Sequence, residues 1–124
     1  MGSPTGRTLA RLKRDGITAD VVEKWIPQAR KRKDVAGCID VIAYGHDVGI
    51  LGIQTTSGTN HAARRTKALV EPRLTQWLHG GGHFELWSWT QPSGAGGRWR
   101  LRKERIDIDP STGQFRCERI QEDT

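Results

Sequence analysis

Asp40 lies in the run Gly37-Cys38-Ile39-Asp40-Val41-Ile42-Ala43, a carboxylate set among apolar neighbours. Burying such a group is unfavourable unless a hydrogen-bond partner or a metal offsets its lost hydration. A second polar interruption, Gln54, falls within the apolar run from Val48 to Thr55. Strand alternation puts Cys38, Asp40 and Ile42 on one face, and Gln54 and Thr56 together on one face of the next strand. If the two strands pair, Asp40 and Gln54 converge on one small site, and their oxygens suit Mg2+ or Mn2+. The competing reading is that Asp40 accepts a hydrogen bond from a local backbone amide and Gln54 is a core amide with its partners made. Glu23, in Val21-Val22-Glu23-Lys24-Trp25, is another carboxylate flanked by apolar groups. It either completes a metal shell or holds a water, or it pairs with Lys24 or Arg30.

These residues need a scaffold. Gly37 to Tyr44 and Val48 to Thr55 read as strands joined by the turn Gly45-His46-Asp47. Their nearly continuous apolar character suggests a sheet covered on both faces. Upstream, Thr5 to Asp15 reads as a short helix stopped by Gly16. Ile17 to Ile26 reads as a strand closed by Pro27, and Gln28 to Asp34 as a charged turn. Downstream, the polar loop Ser57 to Asn60 precedes a helix starting near His61, which Pro72 kinks or divides. Gly80 to Gly82 ends the helical stretch. Phe84 to Thr90 is a further strand, Pro92 to Gly97 a flexible turn, and Arg98 to Ile108 the last strand. There, Trp99 and Leu101 alternate with Arg98, Arg100 and Arg102. The tail from Asp109 is polar and expected to be loosely held. The expected architecture is one α/β domain over 1–124, with a mixed sheet flanked by helices and a core at about 7–108.

The chain has 124 residues, with 20 Lys and Arg against 14 Asp and Glu, for a formal charge of +6. That balance favours a polyanionic partner without specifying the fold. Arg30, Lys31, Arg32 and Lys33 form a basic run beside the proposed site. Arg98, Arg100 and Arg102 form a row that could track a duplex, and Arg64 lies on the face expected for His61 and Lys67. Either basic set also reads as a plain solvated surface. No base-reading motif is present, so contacts to phosphates and to shape are expected. The five tryptophans read mainly as core, with an exposed member free to stack on an unpaired base or to sit in a dimer seam. Cys38 and Cys117 follow no metal-ligand spacing and read as free thiols. No apolar run approaches membrane-spanning length and no secretory leader is evident, so a cytoplasmic location and no membrane partner are expected.

The stretches Val22 to Pro27, Arg32 to Asp40 and Gly52 to Thr56 resemble small phage and bacterial nuclease domains of the PD-(D/E)XK superfamily. The likeness is to Holliday-junction-resolvase-like and VRR-type members. It extends through Asn60-His61-Ala62-Ala63-Arg64 with Lys67, and into Trp77-Leu78 and Trp87-Ser88-Trp89. It implies a restriction-endonuclease-like αβββαβ core and divalent-metal-dependent cleavage of DNA, including branched or recombination intermediates, by a homodimer. By position, Asp40 matches the superfamily's aspartate, Gln54 sits where Glu or Gln is usual, and Glu23 matches an additional acidic residue near the start of the fold. The Thr55 carbonyl is implied as a further metal ligand. Thr56 stands in place of the usual lysine and carries no positive charge. Either Lys67 or Arg64 supplies the missing cation, or the chain is a catalytically inactive DNA-binding module or a subunit of a phage assembly. A weaker alternative is an interaction protein whose basic surface is incidental.

Overall fold

The computed structural model describes residues 2–91 and 97–120. Helix α1 (Pro4–Arg14) begins at Ser3, whose Oγ accepts the Gly6 N–H at 3.0 Å. Pro4 occupies the first turn, where a missing N–H breaks no helical bond. Arg11, Lys13 and Arg14 fill the last turn, where the exposed carbonyls favour positive charge. Gly16, at φ +74°, then lets the chain reverse.

Strand β1 (Thr18–Val21) follows. Next comes a separate hairpin, β2 (Lys24–Ile26) and β3 (Lys31–Lys33), folded around one 3-10 turn at Pro27–Ala29. After it come β4 (Val41–Gly45) and β5 (Gly49–Ser57), antiparallel to each other, with β4 also antiparallel to β1. The chain crosses over through α2 (His61–Leu69) and α3 (Pro72–His79) and returns as β6 (His83–Thr90), parallel to β5. A parallel neighbour demands such a crossover, because a tight turn can only reverse direction. Strands β7 (Arg100–Ile108) and β8 (Phe115–Ile120) then add antiparallel to β6 and to each other. The protein is thus α/β, with a six-stranded mixed sheet in the order β1-β4-β5-β6-β7-β8.

Both faces of the sheet are covered. On one, Leu12 of α1 packs on Val41, Ala43, Ile53, Trp87 and Trp89. On the other, Ala68 of α2 and Leu74 of α3 pack with Ile39, Phe84 and Ile106. The buried indole of Trp89 donates to Thr8 Oγ1 at 3.0 Å, so its N–H keeps a partner out of water. Among the described residues, no helix is long and apolar enough to cross a membrane.

Several expectations need correcting. The β-branched run Ile17 to Ile26 is not one strand, because the chain leaves the sheet at Val22 and Glu23, whose N–H groups both donate to the Asp40 carbonyl, at 2.8 and 3.3 Å. The basic run is not a simple turn: residues 31–33 form a strand of the hairpin. Asp40 lies just outside a strand, after a turn in which Ala36 and Gly37 take φ +57° and +74°. The stretch after Asp109 is not merely loose tail, since 115–120 form β8 and Phe115 packs against the core. The turn expected at Pro92 to Gly97 lies, apart from Gly97, outside the described residues, as does the end of the chain from Gln121.

Candidate functional site

The β4–β5 ladder pairs Val41 with Ile53, so one step further along the register Asp40 faces Gln54. Residues opposite each other in an antiparallel pair project to the same side. At this end the ladder stops: the Asp40 N–H still reaches the Ile53 carbonyl at 2.9 Å, and its carboxylate takes the next donor, accepting the Thr55 N–H at 3.0 Å. A side chain has replaced the backbone. Asp40, Gln54 and Thr56 are all buried, at 8%, 6% and 5% exposure, and all three line one cleft of about 830 Å³.

Glu23, Asp34, Thr55, Arg32, Arg64 and Lys67 complete the functional part of that lining. Burial pushes the Asp40 carboxyl up to about 7; the Thr55 N–H pulls against this, while the carboxylates of Glu23 and Asp34 reinforce it. Burial also raises Asp34, with Glu23 adding to the effect and Arg73 and Lys67 opposing it. Three acids therefore crowd the floor and repel one another. Cations stand at the rim. Arg32 of β3 pairs with Glu23 at 3.2 Å, tying the hairpin to the cleft. Thr5, in the first turn of α1, donates to Glu23 at 3.3 Å and lies 3.1 Å from the Thr55 hydroxyl.

The single most telling atom is Gln54 Oε1, which is buried and has no hydrogen-bond partner among the described residues. Leaving a buried carbonyl oxygen unpaired costs about 1–3 kcal/mol. Of the two ways to read the pair, the backbone-amide role holds for Asp40, whereas Gln54 is not a core amide with its partners made. An orphaned oxygen beside mutually repelling carboxylates is a donor set that fits a hard divalent cation. Among the described residues, no three His, Cys, Asp or Glu side chains form a metal cluster by themselves. The predicted set of Asp40, Gln54, Glu23 and the Thr55 carbonyl contains only two such side chains and relies on amide and backbone oxygens for the rest.

Helix α2 divides its basic residues between two environments. Arg64 and Lys67 are exposed and line the cleft. His61, expected on the same DNA-facing side, is instead 1% exposed. Its Nδ1 lies 2.6 Å from Ser88 Oγ, and its Nε2 lies 2.9 Å from Glu104 Oε1, which Arg65 Nε also reaches at 2.7 Å. Since a carboxylate only accepts, Nε2 carries the proton and Nδ1 is left to accept from the Ser88 hydroxyl. Burial lowers the His61 pKa and favours this neutral form. The order Ser-His-Glu is that of a hydrolase relay, but Ser88 is itself only 1% exposed and no substrate can reach it. The cluster is a structural clamp between α2 and the sheet.

The expected row of arginines on the last strand is also broken. Arg98 precedes β7 and is exposed, Arg100 is exposed opposite Thr90, and Arg102 is half-buried opposite Ser88 with its Nε shielded from water. Arg102 therefore belongs to the surroundings of His61 and not to an outward-facing track. Cys38 is no nucleophile for the cleft, because burial pushes its thiol up to about 12. Arg30, Lys31 and Lys33 are exposed on the hairpin. Asp34 and Thr5 were not anticipated. Asp34 follows four consecutive basic residues and reads as their counterion, and Thr5 lies far from the site in sequence.

No family model, no curated protein and no solved structure matches the chain.

Proposed function

We propose that the protein is a metal-dependent DNA endonuclease with a restriction-endonuclease-like core of the PD-(D/E)XK type. The observation that carries this reading is the Gln54 Oε1, without a hydrogen-bond partner among the described residues, facing the Asp40 position at the end of β4–β5. Asp40, Gln54, Glu23 and the Thr55 carbonyl are the groups that would hold Mg2+ or Mn2+. A divalent ion there would polarise a phosphodiester and make water a better nucleophile at neutral pH.

The chain's own residues do the rest. Arg64 and Lys67 hold the phosphates of the scissile strand at the rim, and Lys67 supplies the positive charge that Thr56 lacks. The Thr55 N–H fixes one Asp40 oxygen at the end of the ladder. Thr5 and Arg32 orient Glu23. The test is incubation of purified protein with duplex, flap and four-way DNA in Mg2+ and in Mn2+. Cleavage that Asp40→Ala abolishes without unfolding the protein is expected; no cleavage of any substrate in either metal would sink the enzyme reading.

A second reading, a catalytically silent DNA-binding module, is favoured by one observation: the Thr56 position is neutral and buried, while Glu23 is already paired with Arg32. It predicts salt-sensitive DNA binding that survives Asp40→Ala and needs no metal.

A further inference from the structure

Among the described residues the hairpin of β2 and β3 pairs with no other strand, and it stands beside the cleft as a two-stranded ribbon. Residues 24–33 carry five cations, Lys24, Arg30, Lys31, Arg32 and Lys33, and no acid. In the middle of β2 is Trp25, 53% exposed. More than half of this indole lies in water, and it belongs to neither apolar cluster of the sheet. The other half-exposed tryptophan, Trp99, is covered by the Arg7 guanidinium 3.5 Å from its ring centre. Among the described residues Trp25 has no such cover.

Register fixes where this ring stands. Trp25 is the cross-strand partner of Arg32, so both project from the same face of the ribbon. Arg32 lines the cleft and is bound to Glu23 at 3.2 Å. The indole face therefore flanks the acidic floor, while Lys24, Lys31 and Lys33 occupy the opposite face of the ribbon or its tip. A flat aromatic surface within a cationic strip matches a nucleic acid that presents both phosphates and an unstacked base. A closed duplex offers the phosphates but hides its base faces.

We propose that this hairpin is a nucleic-acid arm in which Trp25 stacks on an unpaired base, so that the protein prefers single-stranded DNA over closed duplex. The inference deepens the nuclease reading by naming the substrate class of the same cleft. The basic face of the ribbon holds the backbone, and the tryptophan face admits only a base that is free of its partner.

The test uses the full chain in EDTA, so that binding is read without cleavage. Fluorescein-labelled dT15 and a 15-base-pair duplex are titrated by anisotropy against wild type, Trp25→Ala and Lys31→Ala/Lys33→Ala, with circular dichroism as the control for folding. Trp25→Ala is expected to weaken dT15 binding roughly tenfold and duplex binding less than twofold. The double lysine variant is expected to weaken both and to flatten the dT15 salt slope by roughly 1.4. Failure to bind dT15 at low salt, an unchanged dT15 affinity in Trp25→Ala, or equal loss on both probes overturns the proposal. So does Trp25-dependent sedimentation with phosphatidylserine vesicles in place of dT15 binding, which would assign the ribbon to a lipid surface. A protein that shows the selective loss but cuts nothing in Mg2+ or Mn2+ supports the arm and removes only the hydrolase.

Discussion

Asp40 and Thr55 are joined by a hydrogen bond of 3.0 Å in which a side-chain carboxylate stands in for the backbone carbonyl that would have continued the β4–β5 ladder. One oxygen of a buried acid is thereby committed to holding the end of the sheet together. The acid remains strained electrostatically, because burial and its acidic neighbours disfavour its charged form.

This gives a stability prediction whose sign can be worked out. A carboxyl raised from 3.8 to about 7 in the fold favours the protonated native state. Its contribution is complete below pH 3.8 and is lost as pH rises through 7. Asp40→Asn removes the charge and keeps an oxygen for Thr55. In thermal melts without metal, the variant should match wild type at roughly pH 3.5, pull ahead as pH rises towards 7, and exceed it by roughly 4 kcal/mol at pH 8. Equal stabilities at both pH values would contradict the buried-charge account.

Divalent metal should reverse that penalty. Wild-type melting temperature at pH 8 is expected to rise with millimolar Mn2+ or Mg2+, because an ion that binds only the folded state stabilises it by mass action. The rise should be smaller at pH 5, where Asp40 is protonated, and absent in Asp40→Asn. Calorimetric titration with Mn2+ checks the same point directly.

Gln54 offers an independent probe. Its Oε1 has no hydrogen-bond partner to lose among the described residues, so Gln54→Leu should not lower metal-free stability and should raise it by up to about 1–3 kcal/mol. The same change should remove the metal-induced shift in melting. Gln54→Glu should bind Mn2+ more tightly and melt lower than wild type at pH 8 when metal is withheld. Denaturant melts of the three proteins, with and without Mn2+, separate these effects.

Around His61 the pH dependence runs the other way. Burial lowers its pKa, and although burial also raises that of Glu104, the hydrogen bonds from Arg65 and His61 leave Glu104 lowered overall. Both groups therefore contribute stability that is present at neutral pH. The His61 part is lost as pH falls below its ordinary 6.5, and the Glu104 part further down, below 4.5. His61→Ala should cost about 2–4 kcal/mol at pH 7, since it leaves the buried Ser88 hydroxyl without its partner, leaves Glu104 to Arg65 alone and empties the space of a buried ring. Arg64→Ala and Lys67→Ala should leave melting unchanged and flatten the salt dependence of duplex binding by about 0.9 each.

How far the sequence carries is clear from individual residues. Asp40 and Gln54 could be placed together because the Gly45-His46-Asp47 turn and the period of two leave little freedom in register. Helix α1 and its stop at Gly16 were legible for similarly local reasons. The break at Val22 and Glu23 was not, because it arises from two N–H groups reaching the Asp40 carbonyl, a contact between segments far apart in sequence. The hairpin was hidden because consecutive lysines and arginines give no apolar alternation. Strand β8 was hidden for the same reason, since Phe115 is its main apolar anchor. His61 was misplaced by geometry: at roughly 100° per residue it lies roughly 120° around the helix from Lys67, enough to turn one inward and leave the other out.

The clamp of His61, Arg65, Ser88 and Glu104 has an evolutionary corollary. It fastens α2 through the inner side of the helix and makes no demand on the residues that look outward. Positions 64 and 67 are thus free to vary without loosening their support, so selection can retune grip and preference there while the scaffold stays put.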